Sequence, residues 1–230
     1  VGQEDARILT ADRIRDAATV IVVRDAATRP RVLMGRRGGA AAFMPNKVVF
    51  PGGSVDPGDA EVPLASPLPD PCRSRLDRAG EATPEALAAA AIRELWEETG
   101  QIAGARGTWS DAPPGWRDFA ATGHRPEARH LRYVFRAITP PGRPRRFDAR
   151  FFVLPAERLA GDPDDVSRGD GELRHLAWVE LDAARKLDLP FVTAIALGEI
   201  AARLPDLSAP DRVPFLGPEE AVKDAARPPG

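Results

Sequence analysis

The residues best suited to chemistry stand together in Arg93-Glu94-Leu95-Trp96-Glu97-Glu98-Thr99-Gly100. A helix advances about 100° per residue, so with Glu94 at zero, Glu97 falls at about −60° and Glu98 at about +40°. Three carboxylates therefore share one arc of roughly 100°. Like charges three and four residues apart repel and destabilise a bare helix. A divalent cation offsets that repulsion directly, and oxygen ligands at this density suit Mg²⁺ or Mn²⁺, which take a few carboxylates plus substrate phosphates. Taken alone, the same arc also fits a solvated acidic face beside Arg93.

Two flanking features position the arc. Upstream, Phe50-Pro51-Gly52-Gly53-Ser54-Val55-Asp56-Pro57-Gly58-Asp59 reads as a strand end running into a glycine-rich turn. Adjacent glycines let backbone approach a ligand or a helix closely. The helix itself opens at Thr83-Pro84-Glu85, an N-cap, a proline at N1 and an early acid. Leu87 to Ile92, with Leu95 and Trp96, supply its apolar face, and Gly100 ends it. Glu85 lies nine residues before Glu94, on the opposite face. It is read as a first-turn acid favoured by the helix dipole.

The two halves together resemble the Nudix box, G-x5-E-x7-R-E-U-x-E-E-x-G-U, where U is aliphatic. Arg93 to Gly100 match without a gap, and Gly53 to Asp59 match with Asp in place of Glu. Gln101 stands where an aliphatic residue closes the box, and Asp59 and Arg93 are 34 residues apart instead of 8, an insertion of 26. A loop can absorb such a gap at small entropic cost. The resemblance implies a Nudix-type α/β/α sandwich, a mixed sheet flanked by helices, and hydrolysis of a nucleoside diphosphate linked to another moiety. It also implies that Glu94, Glu97 and Glu98 hold Mg²⁺ or Mn²⁺ with a backbone carbonyl of Gly52, while Arg93 orients the cluster by ion pairing. Such a cation shields diphosphate oxygens and acidifies a water, and a carboxylate takes the proton. Glu98 is the first candidate for that base and Glu172 the second, with Glu97 and Arg93 in the same catalytic set. On the substrate side, Arg36 and Arg37 end a strand as either surface charge or a phosphate clamp, beside Gly53 and Asp59. Phe43-Met44-Pro45, then Val49-Phe50-Pro51-Gly52-Gly53 with Asp56 and Asp59, are similar to the coenzyme A diphosphatase branch, whose peroxisomal mammalian type also has a split box. Ala41 and Ala42 stand where that branch carries Leu and Arg. Two other readings share the fold: a ligand-binding or regulatory module without turnover, and a nucleotide-sugar or nucleoside triphosphate pyrophosphatase. The presence of all three glutamates favours an enzyme.

The rest of the chain supplies the scaffold. Strands are expected at residues 17–24 and 31–37, as a hairpin, and at 129–139, 147–154 and 172–179. A short helix is expected near Trp116 to Phe119, and later ones at 181–187 and 191–204. That order gives a mixed α/β domain over residues 17–204, with an arm at 1–16 and a proline-rich tail at 205–230. Residues 60–82 are proline-rich and read as an irregular excursion. Beside the box it suits a lid or a contact between copies in a homodimer, and equally a passive surface loop. The acidic, glycine-rich stretch from Gly161 to Gly171 reads as a mobile loop. The formal net charge of −2 offers no basic footprint for nucleic acid. Cys72 is the one cysteine, so no disulfide framework exists and a reducing, cytoplasmic compartment is expected. No apolar run long enough to span a membrane and no signal-peptide core are present. The expected partner is a small-molecule diphosphate substrate, with no nucleic acid and no membrane.

Overall fold

The computed structural model describes residues 14–39, 43–77 and 81–218. Its strands are β1 (Ile14–Arg24), β2 (Arg31–Arg37), β3 (Val48–Val49), β4 (Gly52–Ser54), β5 (Gly104–Arg106), β6 (His124–Pro126), β7 (Arg132–Ile138), β8 (Arg146–Pro155), β9 (Leu173–Glu180) and β10 (Phe215–Leu216). The α-helices are α1 (Cys72–Leu76), α2 (Pro84–Thr99), α3 (Arg117–Ala121), α4 (Leu181–Ala184) and α5 (Phe191–Ala201). One mixed sheet runs β10-β7-β8-β1-β2-β3, with β4 added to β1 and β9 to β2. β1 pairs in parallel with β8 from Ile14 opposite Arg146 to Val23 opposite Pro155. Along its other edge β1 is shared: its C-terminal end pairs with β2, as expected for a hairpin, and its N-terminal part pairs with β4, Ala18 opposite Gly53. The Gly-Gly pair is thus built into the sheet.

Side chains alternate across this sheet as strand geometry requires. Ala18, Val20 and Val22 of β1, Leu33 of β2, and Phe152 and Leu154 of β8 join one core with Leu87, Ile92 and Leu95 of α2. Ile21, Val23, Val32, Met34, Phe151 and Val153 join the opposite core with Leu197 and Ile200 of α5. Val134 and Phe135 fall in the same core although adjacent, because the β7–β8 register shifts between Tyr133 and Phe135. The result is the expected mixed sheet between helices.

α2 forms where its caps require. The Thr83 hydroxyl accepts from the Ala86 N–H at 3.2 Å, Pro84 opens the first turn, and Gly100 closes the helix with φ 72°. Residues Leu87 to Ile92 are all fully buried. A helix buried on every side in mid-length needs a second cover besides the sheet, and the insertion provides it. Val62, Leu68, Cys72 and Leu76 belong to the α2 core, with Cys72 accepting from the Tyr133 N–H at 3.3 Å. The insertion at 60–82 is therefore more than a passive surface loop: Val62, Leu68, Cys72 and Leu76 are core, and α1 lies within it.

Two further expectations shift. The sheet extends past the limits set at 17 and 204, since β1 starts at Ile14 and β10 pairs with β7; residues 1–13 and 219–230 lie outside the described residues. The stretch from 161 to 171 is tied down rather than loose: Trp178 donates to the Pro163 carbonyl at 3.0 Å, and Asp170 N–H donates to the Glu97 carbonyl at 2.8 Å. Among the described residues, no helix is long and apolar enough to cross a membrane.

Candidate active site

The last turns of α2 lie against β4, and Arg93 joins them. Arg93 is only 8% exposed. Nε and Nη2 donate to the two carboxylate oxygens of Asp59 at 3.0 and 2.9 Å, Nη2 also reaches the Ser54 carbonyl at 2.9 Å, and Nη1 donates to Glu94 at 2.8 Å and Glu97 at 3.1 Å. Burial works against the Arg93 charge, but the Asp59 hydrogen bond and the charges of Glu94 and Asp59 outweigh it, so the group stays protonated. This fork geometry is available to Arg and not to Lys.

Asp59 itself is 2% exposed and accepts from the Asp56 N–H at 2.8 Å, besides both Arg93 bonds. With its oxygens turned into the protein, it holds Arg93, which corrects its placement on the substrate side. Glu85 faces away from the cluster and pairs with Arg73 of the insertion at 2.8 Å, as its helical angle required.

Glu98 is 2% exposed and accepts from the Gly52 N–H at 2.8 Å. Its carboxyl is pushed up to about 9 by burial, against the Gly52 hydrogen bond and with added repulsion from Glu94 and Glu172. Glu94 is raised to about 7, again by burial first, with Arg93 opposing and Glu97 and Glu172 adding repulsion. Glu97, more exposed, is raised in the same sense by burial. Both glycines are used. A Cβ on Gly52 would come within 2.6 Å of the Ala18 carbonyl oxygen, and one on Gly53 would overlap the Glu94 carboxylate.

The two arginines of β2 part company. Arg36 is exposed, while Arg37 donates to Glu172 at 2.5 Å and lowers the Glu98 carboxyl by its charge. Arg37 and Glu172 thus sit beside the cluster, and Arg36 does not share their place. Sequence reasoning gave no role to Gln101, although a polar residue closing an otherwise aliphatic motif was the available signal.

The donor set fits a divalent cation by its chemistry. Glu94 and Glu98 bury carboxylates whose charge the protein leaves undercompensated, which their raised proton affinity records. Among the described residues no three such groups are gathered tightly enough to ligate one ion as they stand. Arg93 Nη1 draws Glu94 and Glu97 to itself while Glu98 is turned to Gly52. Joint ligation requires rotation of those side chains.

No family model matches the chain. It is similar to a Caenorhabditis elegans protein assigned to the nudix hydrolases as number 7, with 31% identity over 178 residues, covering 72% of this chain and 51% of the relative. The chain thus spans about half the length of the curated relative it matches. Among solved structures, a NUDIX hydrolase from Alicyclobacillus acidocaldarius aligns with a TM-score of 0.64 at 30% identity, covering 83% of this chain and 92% of that one. The mixed sheet between helices is the fold shared with that structure. The chain belongs to the Nudix hydrolase family, whose members generally use divalent metal ions.

Proposed function

We propose that the protein is a metal-dependent diphosphohydrolase that cleaves the diphosphate bond of a nucleoside diphosphate linked to another moiety. The observation that carries this is the seating of Glu94 and Glu97 on Arg93, with Glu94 against Gly53 and Glu98 on the Gly52 amide. Glu94, Glu97 and Glu98 are the residues that would hold Mg²⁺ or Mn²⁺. The bound cation supplies charge neutralisation of the diphosphate and a more acidic water. The protein's part is then positional: Arg93 holds two of the carboxylates in register, and the Gly52 amide orients Glu98. Glu98 and Glu172 are the candidate bases, each a carboxylate able to take a proton from the attacking water. Arg37, already charged beside Glu98 and Glu172, is placed to exchange its carboxylate partner for a phosphate oxygen.

For the substrate, coenzyme A or its acyl esters stand first and nucleotide sugars second, ahead of nucleoside triphosphates. The Val49-Phe50-Pro51-Gly52-Gly53 stretch with Asp56 and Asp59, and the split box, support that order. The test supplies coenzyme A, an acyl ester, a nucleotide sugar and ATP with Mg²⁺ or Mn²⁺ in ¹⁸O water and identifies products. Glu97→Gln and Glu98→Gln keep side-chain size and remove charge, so turnover should collapse with the fold retained. Near-normal rates in both variants would exclude the site. Release of pyrophosphate from ATP, with coenzyme A and its ester untouched, would reverse the substrate order.

A further inference from the structure

We propose that Gln101 is a positioning residue: its buried amide holds segment 160–172 against the end of α2, and so keeps Glu172 at Arg37 beside the carboxylate cluster. The functional half rests on the diphosphohydrolase reading; the anchoring half does not.

An aliphatic residue at this point would only pack. Gln101 is 2% exposed, and a buried amide without partners is costly. Its Nε2 donates to the Asp165 carbonyl at 2.9 Å and faces the Pro163 carbonyl at 3.4 Å. Both partners are acceptors, so the NH₂ side must point at them. The Trp178 indole donates to the same Pro163 carbonyl. Beyond Asp165 the segment crosses the helix end. A Cβ on Gly169 would lie 2.5 Å from the Glu98 carbonyl oxygen, and Asp170 N–H donates to the Glu97 carbonyl at 2.8 Å. Glu172 N–H then donates to the Asp170 carboxylate at 2.8 Å, its own carboxylate accepts from Arg37 at 2.5 Å, and Leu173 enters β9 opposite Arg37. The other end is fixed by Ala160 N–H on the Ile102 carbonyl at 2.8 Å. Gln101 therefore grips the middle of a segment whose end delivers Glu172 next to the residues that carry the metal-binding carboxylates. The electrostatics agree, since the charge of Glu172 reaches both Glu94 and Glu98.

The test uses the full chain with Gln101→Leu, which keeps bulk and loses the donor, and Gln101→Glu, which keeps shape and sets acceptors against two carbonyls. Glu172→Gln and the Gln101→Leu/Glu172→Gln double variant complete the set. Amide hydrogen exchange over 161–172 needs no turnover and should speed up by about tenfold, the scale of a lost buried hydrogen bond or two, with the α2 and sheet amides unchanged. With whichever compound of the panel above the unaltered protein cleaves, kcat should fall by about tenfold with KM nearly constant, and the double variant should be no slower than Glu172→Gln. Unchanged exchange in both single variants overturns the anchoring. Faster exchange confined to the segment with unchanged kcat overturns the positioning role, and loosening spread over the whole sheet shows a merely structural residue. Absence of turnover in the unaltered protein overturns the diphosphohydrolase reading and the positioning role with it, while the exchange result still decides the anchoring.

Discussion

Asp59→Asn should be among the most damaging single changes to stability. The pair it breaks is buried on both sides, with side-chain exposures of 9% for Arg93 and 1% for Asp59. It is bidentate, and Asp59 also caps the Asp56 N–H. Asn offers one carbonyl oxygen where two carboxylate oxygens are in use, and its NH₂ would face a guanidinium that can only donate. Removing one partner of a buried ion pair costs about 3–5 kcal/mol. For a chain of this size 1 kcal/mol corresponds to about 2–4 °C in Tm, so the fall should be roughly 6–20 °C. Thermal unfolding followed by circular dichroism in metal-free buffer reads it. The double variant Asp59→Leu/Arg93→Met should recover part of the loss, because an apolar pair leaves no stranded charge. It should still be inactive, having lost the group that holds Glu94 and Glu97. A Tm within about 2 °C of the parent for Asp59→Asn, below even the 1 kcal/mol scale, would refute the idea that this pair binds the box halves together.

Other expectations follow from the same geometry. Gly53→Ala should fold and lose most activity, because the clash falls on the movable end of Glu94, whereas Gly52→Ala should lower Tm, because its clash falls on the backbone of β1; equal Tm values for the two would contradict this. Glu94 and Glu98 bind protons more tightly folded than unfolded, at about 7 and about 9. Their contribution to stability is therefore full below the ordinary glutamate range and is lost as pH rises through those values. Tm of the metal-free protein should decline from mildly acidic to alkaline pH, and Mn²⁺ should stabilise more as pH rises; a Tm increasing with pH over that window would count against the assignment. Arg37→Ala should lower kcat/KM by roughly 10- to 150-fold, the worth of a charge-assisted hydrogen bond, and steady-state kinetics showing no change would remove Arg37 from the substrate side. Leu76→Ala should cost about 2–5 kcal/mol, since Leu76 is fully buried, and a denaturant midpoint like the parent's would show the insertion to be dispensable.

What could be read from the sequence was what obeys a local period. Thr83, Pro84 and Gly100 mark α2 because caps act within one turn, and the arc of Glu94, Glu97 and Glu98 follows from helical angle alone. The β1–β2 hairpin and the long strands β7, β8 and β9 were legible for the same reason. Contacts to backbone carbonyls have no such signature. Nothing in Gly161 to Gly171 announces that Pro163 and Asp165 lend their carbonyls to Gln101, so glycine and charge read as mobility. β10 is two residues long and joins the sheet only because Pro214 and Phe215 meet β7 across the fold. Asp59 was found as the box acid, but its complete burial could not be inferred, since it depends on an arginine 34 residues away.

That separation also explains how the site survives a box cut in two. The box acid and the box arginine have to meet whatever lies between them, and a longer connection adds only a slowly growing closure cost. The larger demand is on α2. Its run of four alanines, Ala88 to Ala91, is fully buried, and small side chains on two faces leave little apolar area to hold a helix against one sheet. The insertion meets that demand with Leu68, Cys72 and Leu76 on the α2 core and Arg73 on Glu85. Its two ends are then closed by Asp59 on Arg93 and by the Thr83 cap. A segment that began as an interruption of the motif thus braces the helix that carries the motif's second half, and through Cys72 on the Tyr133 N–H it ties that helix's cover to β7 of the sheet.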